Sequence, residues 1–171
     1  MTAAAPPIRV ARGEHDLALV RGLFVEYAGG LGIDLCFQGF DEELASLPGR
    51  YAPPLGRLLV AGAEGDALGC VALRPLDPPP EALGGARAAP IGEVKRLYLR
   101  PAARGTGTGR ALAVAIVDAA RAIGYRTLCL DTLERMREAR ALYESLGFRR
   151  CERYYVNPID DIVYYAMTLR R

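Results

Sequence analysis

Residues 104–110 have the sequence Arg-Gly-Thr-Gly-Thr-Gly-Arg, between a strand-like segment that ends near Arg100 and a helix-like segment that begins near Thr108. Three alternating glycines allow tight backbone turns and let a ligand approach the main chain. The first N–H groups of the following helix have no partners within the helix and therefore favour an anion. The segment predicts a phosphate-binding loop, and a plain glycine turn between solvated arginines is the alternative interpretation.

Basic residues concentrate around this loop. Residues 93–110 contain five basic side chains and one acidic side chain, Glu93, for a local net charge of +4. The whole chain carries a formal net charge of only +2. Such a low overall charge does not favour nucleic acid or a membrane surface as a partner. We therefore expect a local anion site, with no nucleic acid and no membrane among the partners.

Two common nucleotide motifs do not fit the loop. A P-loop requires Gly-Lys-Ser/Thr at the start of the helix, but Gly109 is followed by Arg110. A dinucleotide fingerprint requires G-x-G-x-x-G after the first strand, whereas this loop follows a late strand and has arginine at position 110. ATP binding by a P-loop is therefore excluded, and a nucleotide-dependent oxidoreductase is kept as an alternative that predicts NAD(P)H binding.

The composition indicates one globular domain. Of the 171 residues, 51% are hydrophobic and 25% are charged, which excludes disorder for the body of the chain. We predict a flexible N-terminus at residues 1–7 and a single domain at residues 8–171, because this length fits one compact core. The start of the chain lacks the pattern of a secretory signal, and no apolar stretch reaches the ~20 residues of a membrane span, so we expect a cytoplasmic protein.

The chain has few residues for metal or nucleophilic chemistry. Its four cysteines lie far apart without a C-x-x-C pair, and they are interpreted as reduced thiols. Its one histidine, His15, lies among polar residues at a predicted helix start. We therefore expect no metal site and no catalytic triad built on histidine.

The spacing of apolar residues predicts elements in the order β, α, α, β, β, β, α, β, α, β, β. A helix connects the strands on either side of residues 108–123, which implies one parallel crossover in an otherwise antiparallel sheet. The predicted fold class is therefore a mixed α/β (α+β) fold with a mostly antiparallel central sheet flanked by helices. Predicted helices cover 14–27, 41–47, 108–123 and 135–146, and predicted strands cover 8–11, 57–63, 67–76, 91–100, 125–131, 148–156 and 162–169.

Two segments resemble signatures of the GCN5-related N-acetyltransferase family. The sequence Leu-Tyr-Leu-Arg-Pro at 97–101, followed by Arg-Gly-Thr-Gly-Thr-Gly at 104–109, is similar to the acetyl-CoA-binding motif of that family. About 30 residues later, residues 139–148 have the sequence Ala-Arg-Ala-Leu-Tyr-Glu-Ser-Leu-Gly-Phe, which resembles a second signature. The resemblance extends over nearly the whole chain from about Ile8 and implies an acyl-CoA N-acyltransferase-like fold.

The resemblance implies acetyl-CoA as the acetyl donor, with no metal. In this family the pantetheine arm pairs like an extra strand with the central strand, and the pyrophosphate lies on the N–H groups of the glycine-rich segment. A backbone N–H near Leu99 would stabilise the oxyanion formed at the thioester carbonyl. The implied cofactor-binding residues are Leu97, Tyr98, Leu99, Arg104, Gly105, Thr106, Gly107, Thr108, Gly109 and Arg110.

Acetyl transfer to an amine also needs two proton movements. A lysine-like ammonium has a pKa of about 10.4, so a base must remove a proton before the amine attacks. Glu93 is the first candidate base and Asp131 the second, and for either the alternative is a carboxylate paired to arginine. Tyr143 matches the family tyrosine that protonates the leaving thiolate, with a core aromatic as the alternative. Met136 departs from the family, which often has a cofactor-contacting asparagine there.

The acceptor is expected to be a primary amine of a small molecule or a peptide. In the family the acceptor is chosen by the N-terminal wall, here residues 29–56, and by the last hairpin, here residues 153–165. An acidic rim on the first segment would favour a cationic amine. That segment contains Asp34, Phe37, Gln38, Asp41, Glu42, Glu43 and Tyr51.

The leading hypothesis is an enzyme, an acetyltransferase that works by direct attack in a ternary complex, because no active-site cysteine is evident. A sensor or scaffold of the same fold, which binds CoA or another phosphate ligand without transfer, is the second hypothesis. The chain is expected to act as a monomer or a homodimer.

Overall fold

The fold is built around one seven-stranded sheet. The computed structural model describes residues 6–36 and 39–170. The strands lie in the spatial order β1-β2-β3-β4-β5-β7-β6, and within the described residues only β4 and β5 pair in parallel. The predicted mixed, mostly antiparallel sheet is therefore confirmed. The strands are β1 (Ile8–Val10), β2 (Arg57–Ala61), β3 (Gly69–Pro75), β4 (Ile91–Leu99), β5 (Thr127–Leu133), β6 (Arg149–Cys151) and β7 (Ile162–Thr168).

Helices cover both faces of the sheet. On one face, Leu112 and Ile116 belong to an apolar stripe that packs into the core. On the other face, Val20 and Phe24 pack against residues such as Val60. The bounds of the third helix equal the predicted ones. The helices are α1 (Gly13–Leu31), α2 (Phe40–Ser46), α3 (Thr108–Ile123) and α4 (Arg137–Ser145).

The ends of α1, α2 and α4 differ from the predicted ones by one to four residues, and two of these differences have a clear cause. The first helix continues beyond its predicted end to Leu31 and stops where Gly32 adopts a left-handed conformation, with φ of 65°. The second helix begins at Phe40, after Gly39 with φ of 69°. Asp41 therefore lies inside the first turn, where its charge suits the helix dipole, and it does not cap the helix as predicted.

The predicted strand at 148–156 is mostly irregular. Only Arg149–Cys151 pairs with β7, and the chain then leaves the edge of the sheet. In a strand, adjacent side chains point to opposite faces. Here the adjacent rings of Tyr154 and Tyr155 both pack against Tyr164, with centroids 5.3 and 5.7 Å away, and their hydroxyls bond to buried carboxylates. These tertiary contacts override the β propensity of the segment.

An irregularity in β4 sets the direction of its side chains. The pairing with β3 shifts register between Cys70 and Ala72, and nearby Arg96 has φ of 58°, a left-handed conformation that is uncommon outside glycine. Lys95 pairs with Ala72 on the face covered by α1, and the Arg96 guanidinium lies over rings of α1 and α2 on the same face. The bulge therefore turns two consecutive cations toward one side of the sheet.

The central strands β4 and β5 separate halfway along their length. Their pairing begins at Ile91 with Thr127 and ends at Glu93 with Cys129. Beyond this point β4 continues to Leu99 beside β3, and β5 continues beside β7. The sheet therefore has an opening at its centre.

Candidate active site

A cavity of about 740 Å³ occupies the opening between β4 and β5. Its walls come from residues 104–110, here called the glycine loop, from β4 and β5, from α4, from the end of α1 and from the segment before β7. Most of the predicted site residues therefore meet at one place. Those that line the cavity are Leu97, Tyr98, Leu99, Arg104, Gly105, Gly107, Gly109, Arg110, Asp131 and Tyr143.

The glycine loop presents its backbone to this cavity. Gly105 and Gly107 have φ of 73° and 85°, and a Cβ placed on either would meet no described atom within 4 Å. The side chains of Thr106 and Thr108 stabilise the loop. Their hydroxyl oxygens lie 2.7 Å apart, and the Thr106 hydroxyl donates to the Ala103 carbonyl at 2.7 Å. Thr108 is fully buried. The threonine side chains thus brace the loop, while the glycines and the start of α3 stay open to an anion.

Charge available to that anion comes from two arginines. Arg104 donates to the Leu99 carbonyl at 3.2 Å, and Arg110 donates to the Ser145 hydroxyl at 2.9 Å. Both side chains are exposed and line the cavity, and neither forms an ion pair with a carboxylate of the described residues. An entering phosphate would therefore meet guanidinium charge that is not already neutralised.

The other three basic residues of segment 93–110 do not serve the predicted anion site. Each is paired with a carboxylate of the protein itself, in two cases in the interior and for Arg100 at the surface, so most of the local positive charge in the sequence is neutralised before any ligand binds. The pairs are Lys95 with Asp131 at 2.8 Å, Arg96 with Glu43 at 2.6 Å and Arg100 with Glu26 at 2.8 Å.

The edge of β4 at 97–99 is open on the cavity side. On its other side, Leu99 pairs with Gly69 and Tyr98 pairs with Cys70. The pairing with β5 has already ended at Glu93. A sheet edge with unpaired backbone groups can bind an extended ligand as an additional strand.

Glu93 lies deep in the sheet and not at the cavity. Only 1% of its surface is exposed. Arg74 donates to its Oε2 from Nε at 2.8 Å and from Nη2 at 2.7 Å, and the Tyr154 hydroxyl donates to its Oε1 at 3.0 Å. The Lys95 ammonium lies 3.5 Å from Oε1. The first candidate base is therefore enclosed by its own partners.

Asp131 lines the cavity and carries two hydrogen bonds. Lys95 donates to its Oδ1 at 2.8 Å, and the Tyr155 hydroxyl donates to its Oδ2 at 2.7 Å. Burial would raise the pKa of Asp131, but the Lys95 ammonium and the Tyr155 hydroxyl lower it overall. Burial would likewise lower the pKa of Lys95, but Asp131 and Glu93 raise it. The pair therefore remains ionised at neutral pH.

Tyr143 on α4 is buried, and its ring packs edge-to-face on Phe148 with centroids 5.8 Å apart. It also lines the cavity, and its hydroxyl has no hydrogen bond to a described residue. Burial raises its pKa, so the phenol keeps its proton at neutral pH. Met136, which immediately precedes α4, lines the same cavity at the position where the family often has asparagine.

The sequence did not indicate that Lys95 and Tyr155 hold Asp131. A signal was present, because Lys95 is the one lysine of the chain and lies two residues after a glutamate on a strand. The arrangement needs Asp131, which lies 36 residues further along the chain, and the bulge at Arg96. Neither is visible in a local pattern.

The acidic residues of the predicted rim do not form a rim of the cavity. Glu43 points inward, where it pairs with Arg96 and accepts a 2.5 Å hydrogen bond from the Tyr51 hydroxyl. Asp41 and Glu42 are exposed and do not line the cavity. Two further members of the predicted rim, Phe37 and Gln38, lie outside the described residues.

Residues 6–36 and 39–170 contain no group of three His, Cys, Asp or Glu side chains that could hold a metal ion. Within the same ranges no helix is long and apolar enough to cross a membrane. All four cysteines are free thiols.

A mixed sheet whose central strands separate beside a glycine loop defines the acyl-CoA N-acyltransferase class of folds, and solved structures match the chain nearly end to end. A GNAT-family acetyltransferase from Staphylococcus aureus matches with a TM-score of 0.74 and 17% identity, over 97% of this chain and 100% of that one. YncA of Salmonella typhimurium, solved with its cofactor acetyl-CoA, matches with a TM-score of 0.69 and 21% identity, over 98% and 96%. The predicted fold class is confirmed.

Sequence comparison gives the family. The model of the Acetyltransferase (GNAT) family matches residues 33–148. An uncharacterized N-acetyltransferase of Schizosaccharomyces pombe is 41% identical over 158 residues, 92% of this chain and 91% of the relative. Aminoglycoside N(6')-acetyltransferase type 1 of Stenotrophomonas maltophilia is 28% identical over 170 residues, which cover 99% of this chain and 97% of the relative. The chain belongs to the GNAT acetyltransferase family. This membership supports acetyltransferase activity.

Proposed function

We propose that the chain is an acetyl-CoA-dependent N-acetyltransferase that moves the acetyl group to a primary amine by direct attack in a ternary complex. One observation carries the proposal: a continuous cavity joins the glycine loop, the open edge of β4, Asp131 and Tyr143. Donor and acceptor can meet in such a cavity, as direct transfer requires. No described cysteine lines the cavity, which supports direct transfer over an acetyl-enzyme.

The residues present fit an acyl-CoA donor. The glycine loop and the start of α3 would hold the pyrophosphate, with Arg104 and Arg110 adding charge-assisted hydrogen bonds. The open edge at 97–99 would hold the pantetheine arm as an added strand. When bound, acetyl-CoA supplies an acetyl thioester that a neutral amine can attack, with release of the thiol.

We assign the removal of the acceptor proton to Asp131, directly or through one water. Glu93, the other candidate, has both oxygens bonded to Arg74 and Tyr154 and does not line the cavity. Each carboxylate oxygen has two lone pairs, so Asp131 can accept a further hydrogen bond beside those from Lys95 and Tyr155. Its negative charge also stabilises an ammonium ion that arrives at this end of the cavity.

We assign the second proton to Tyr143, which would donate it to the thiolate as the thioester breaks. A protonated phenol without another hydrogen bond is suited to this task.

Tyr143→Phe should lower kcat on the order of 100-fold, because positioned proton donors contribute at least that much. Acetyl-CoA affinity, measured by calorimetry, should stay unchanged because the ring packing on Phe148 is kept. Equal kcat values would return Tyr143 to a purely structural role.

The proposal is tested by measuring thiol release from acetyl-CoA across a panel of primary amines, with mass spectrometry of the acetylated product. An enzyme releases one thiol for each amide formed. The sensor alternative predicts acetyl-CoA binding in calorimetry without thiol release for any amine. Mass spectrometry of the protein after mixing with acetyl-CoA checks direct transfer, because a turnover-competent acetyl-cysteine would contradict it.

We further propose that the protein acts in the cytoplasm, as a monomer or a homodimer, on the amine of a small molecule or a peptide. Four free thiols suit a reducing compartment. Size-exclusion chromatography with light scattering tests the assembly.

A further inference from the structure

The cavity has two chemically different ends. The glycine loop and α4 border the end where Leu97 and Leu99 pack with the core of the α3 face. The opposite end passes through the opening to the α1 face, where side chains such as Tyr27, Ile33 and Ile159 pack. The donor-binding features lie at the first end, so the acceptor would enter at the second. This assignment of the two ends rests on the proposed function.

The walls of the acceptor end are mostly apolar. They are contributed by the end of α1 and the loop after it, by the end of β5 and by the segment before β7. The apolar residues that line this end are Tyr27, Leu31, Ile33, Leu35, Leu133, Met136, Ile159 and Ile162. A wall of this composition favours an acceptor whose body is itself apolar, because burial removes apolar surface of both partners from water.

The charged residues at this end disfavour a second positive charge on the acceptor. Among the described residues three cations line it, and each is paired with a carboxylate: Lys95 with Asp131 at 2.8 Å, Arg96 with Glu43 at 2.6 Å and Arg135 with Asp161 at 3.2 Å. The other carboxylate that lines the cavity, Glu138, is exposed and belongs to α4, which borders the donor end. Asp131 is the group assigned to the reacting amine. The carboxylates at this end are thus already matched by cations of the protein, so an additional ammonium would lose its hydration without gaining an unmatched carboxylate partner.

We propose that the acceptor is a monoamine with an apolar body, and that polyamines and aminosugars with several ammonium groups are poor substrates. The amine group would lie beside Asp131 while the apolar body contacts the wall formed by Ile33 and Ile159. The acidic residues that suggested a cationic acceptor do not line the cavity, and Glu43 is turned inward to Arg96.

The experiment compares amines of similar basicity in the thiol-release assay with wild-type protein. In the series ethylamine, butylamine and hexylamine, kcat/KM should rise by about fourfold for each methylene that enters the wall. The matched pair is hexylamine and 1,6-diaminohexane, which differ only by an ammonium at the far end. Hexylamine should be better by on the order of tenfold, despite the statistical advantage of a diamine.

A variant pair tests the wall directly. Ile159→Asp adds a carboxylate to the acceptor end and should shift the preference toward 1,6-diaminohexane, whereas Ile159→Asn is the uncharged control and should not. Acetyl-CoA affinity measured by calorimetry reports whether each variant is folded. If a variant does not fold, the wild-type amine series still decides.

The outcomes separate this inference from the proposed function. Acetyl-CoA binding without thiol release for any amine overturns the proposed function. Two results would leave the proposed function standing and overturn the inference that the acceptor is an apolar monoamine. One is thiol release at equal rates along the alkyl series. The other is a preference for the diamine, or for an aminosugar with several ammonium groups such as kanamycin. A rising series with rejection of the diamine supports the inference.

Discussion

The glycine loop at 104–110 and the charge cluster at 93–96 lie close in sequence and are both polar, yet their polar groups are used in opposite ways. In the charge cluster, Glu93 and Lys95 are paired inside the protein. In the glycine loop, Arg104 and Arg110 have no carboxylate partner among the described residues, and the backbone faces the cavity. A basic sequence therefore marks a ligand site only where the fold leaves its charges unmatched.

The contrast has an energetic origin. A buried ion must recover the free energy of its lost hydration from close partners, so each charge in the cluster depends on the others. The glycine loop is solvated and needs no internal partner until a ligand binds. Substitutions in the charge cluster should therefore change the free energy of unfolding, and substitutions in the glycine loop should change the affinity for acetyl-CoA.

The largest expected effect is on the cluster. Glu93→Ala removes the carboxylate partner of Arg74 and one of the two carboxylates beside Lys95, and it should lower the free energy of unfolding by about 3–5 kcal/mol. The matched control is Asp118→Ala, which removes an exposed ion pair with Arg121 and should change it by less than about 1 kcal/mol. Urea denaturation measures both. Similar losses for the two variants would contradict the distinction between the cluster and a surface pair.

The next effect is on the glycine loop. Gly107→Glu forces a side chain into φ of 85° and places a carboxylate where the pyrophosphate would bind, so acetyl-CoA affinity should fall by more than about 100-fold. In the Gly107→Asn variant, asparagine tolerates the left-handed backbone and carries no charge, so acetyl-CoA affinity should fall by only about 10-fold relative to the wild type. Calorimetry measures both affinities. An unchanged affinity for the glutamate variant would remove the phosphate assignment.

A smaller effect separates backbone strain from charge at the bulge. Arg96→Ala and Arg96→Gly both remove the ion pair with Glu43, but only glycine adopts a φ of 58° without steric strain. The glycine variant should therefore be more stable than the alanine variant by about 1 kcal/mol, the reverse of the usual order inside a strand. Urea denaturation of the two proteins measures the difference. The usual order would show that the bulge is not strained.

The smallest expected effect is the pH dependence of the Lys95–Asp131 pair. The lowered pKa of Asp131 means that its stabilisation is present above the unfolded value of about 3.9 and is lost as pH falls through the folded pKa. The raised pKa of Lys95 means that its stabilisation is present below about 10.4 and is lost as pH rises through the folded pKa.

The contribution of this pair should therefore be constant between about pH 5 and pH 9. The measurement compares the free energy of unfolding of the wild type with that of the double variant Lys95→Met, Asp131→Leu across this range. A difference that changes by more than about 1 kcal/mol would show that one member of the pair titrates near neutrality.

The parts of the fold that could be predicted from the sequence depend on local signals. The bounds of α3 follow from Gly107 and Gly124 at its ends and from its apolar stripe, and the prediction matched them. The glycine loop follows from the spacing of its own residues. These features need no information from distant parts of the chain.

The parts that could not be predicted depend on distant partners. Glu93 is enclosed by Arg74, 19 residues earlier, and by Tyr154, 61 residues later. Its burial cannot be derived from neighbouring residues on β4. The left-handed Arg96 is likewise stabilised by Glu43 across 53 residues, whereas local preference alone would assign it an extended conformation.

Lys95 has a further consequence as the one lysine among 171 residues, because its ammonium is buried in an ion pair. Thioesters acylate exposed lysine amines spontaneously, whereas the guanidinium of arginine stays protonated and is a poor nucleophile at neutral pH. The remaining 21 Lys and Arg residues are all arginine. The chain thus carries its solvent-facing positive charge in a form that a reactive acyl donor does not modify, and amine-directed labels or crosslinkers would find no exposed lysine side chain on it.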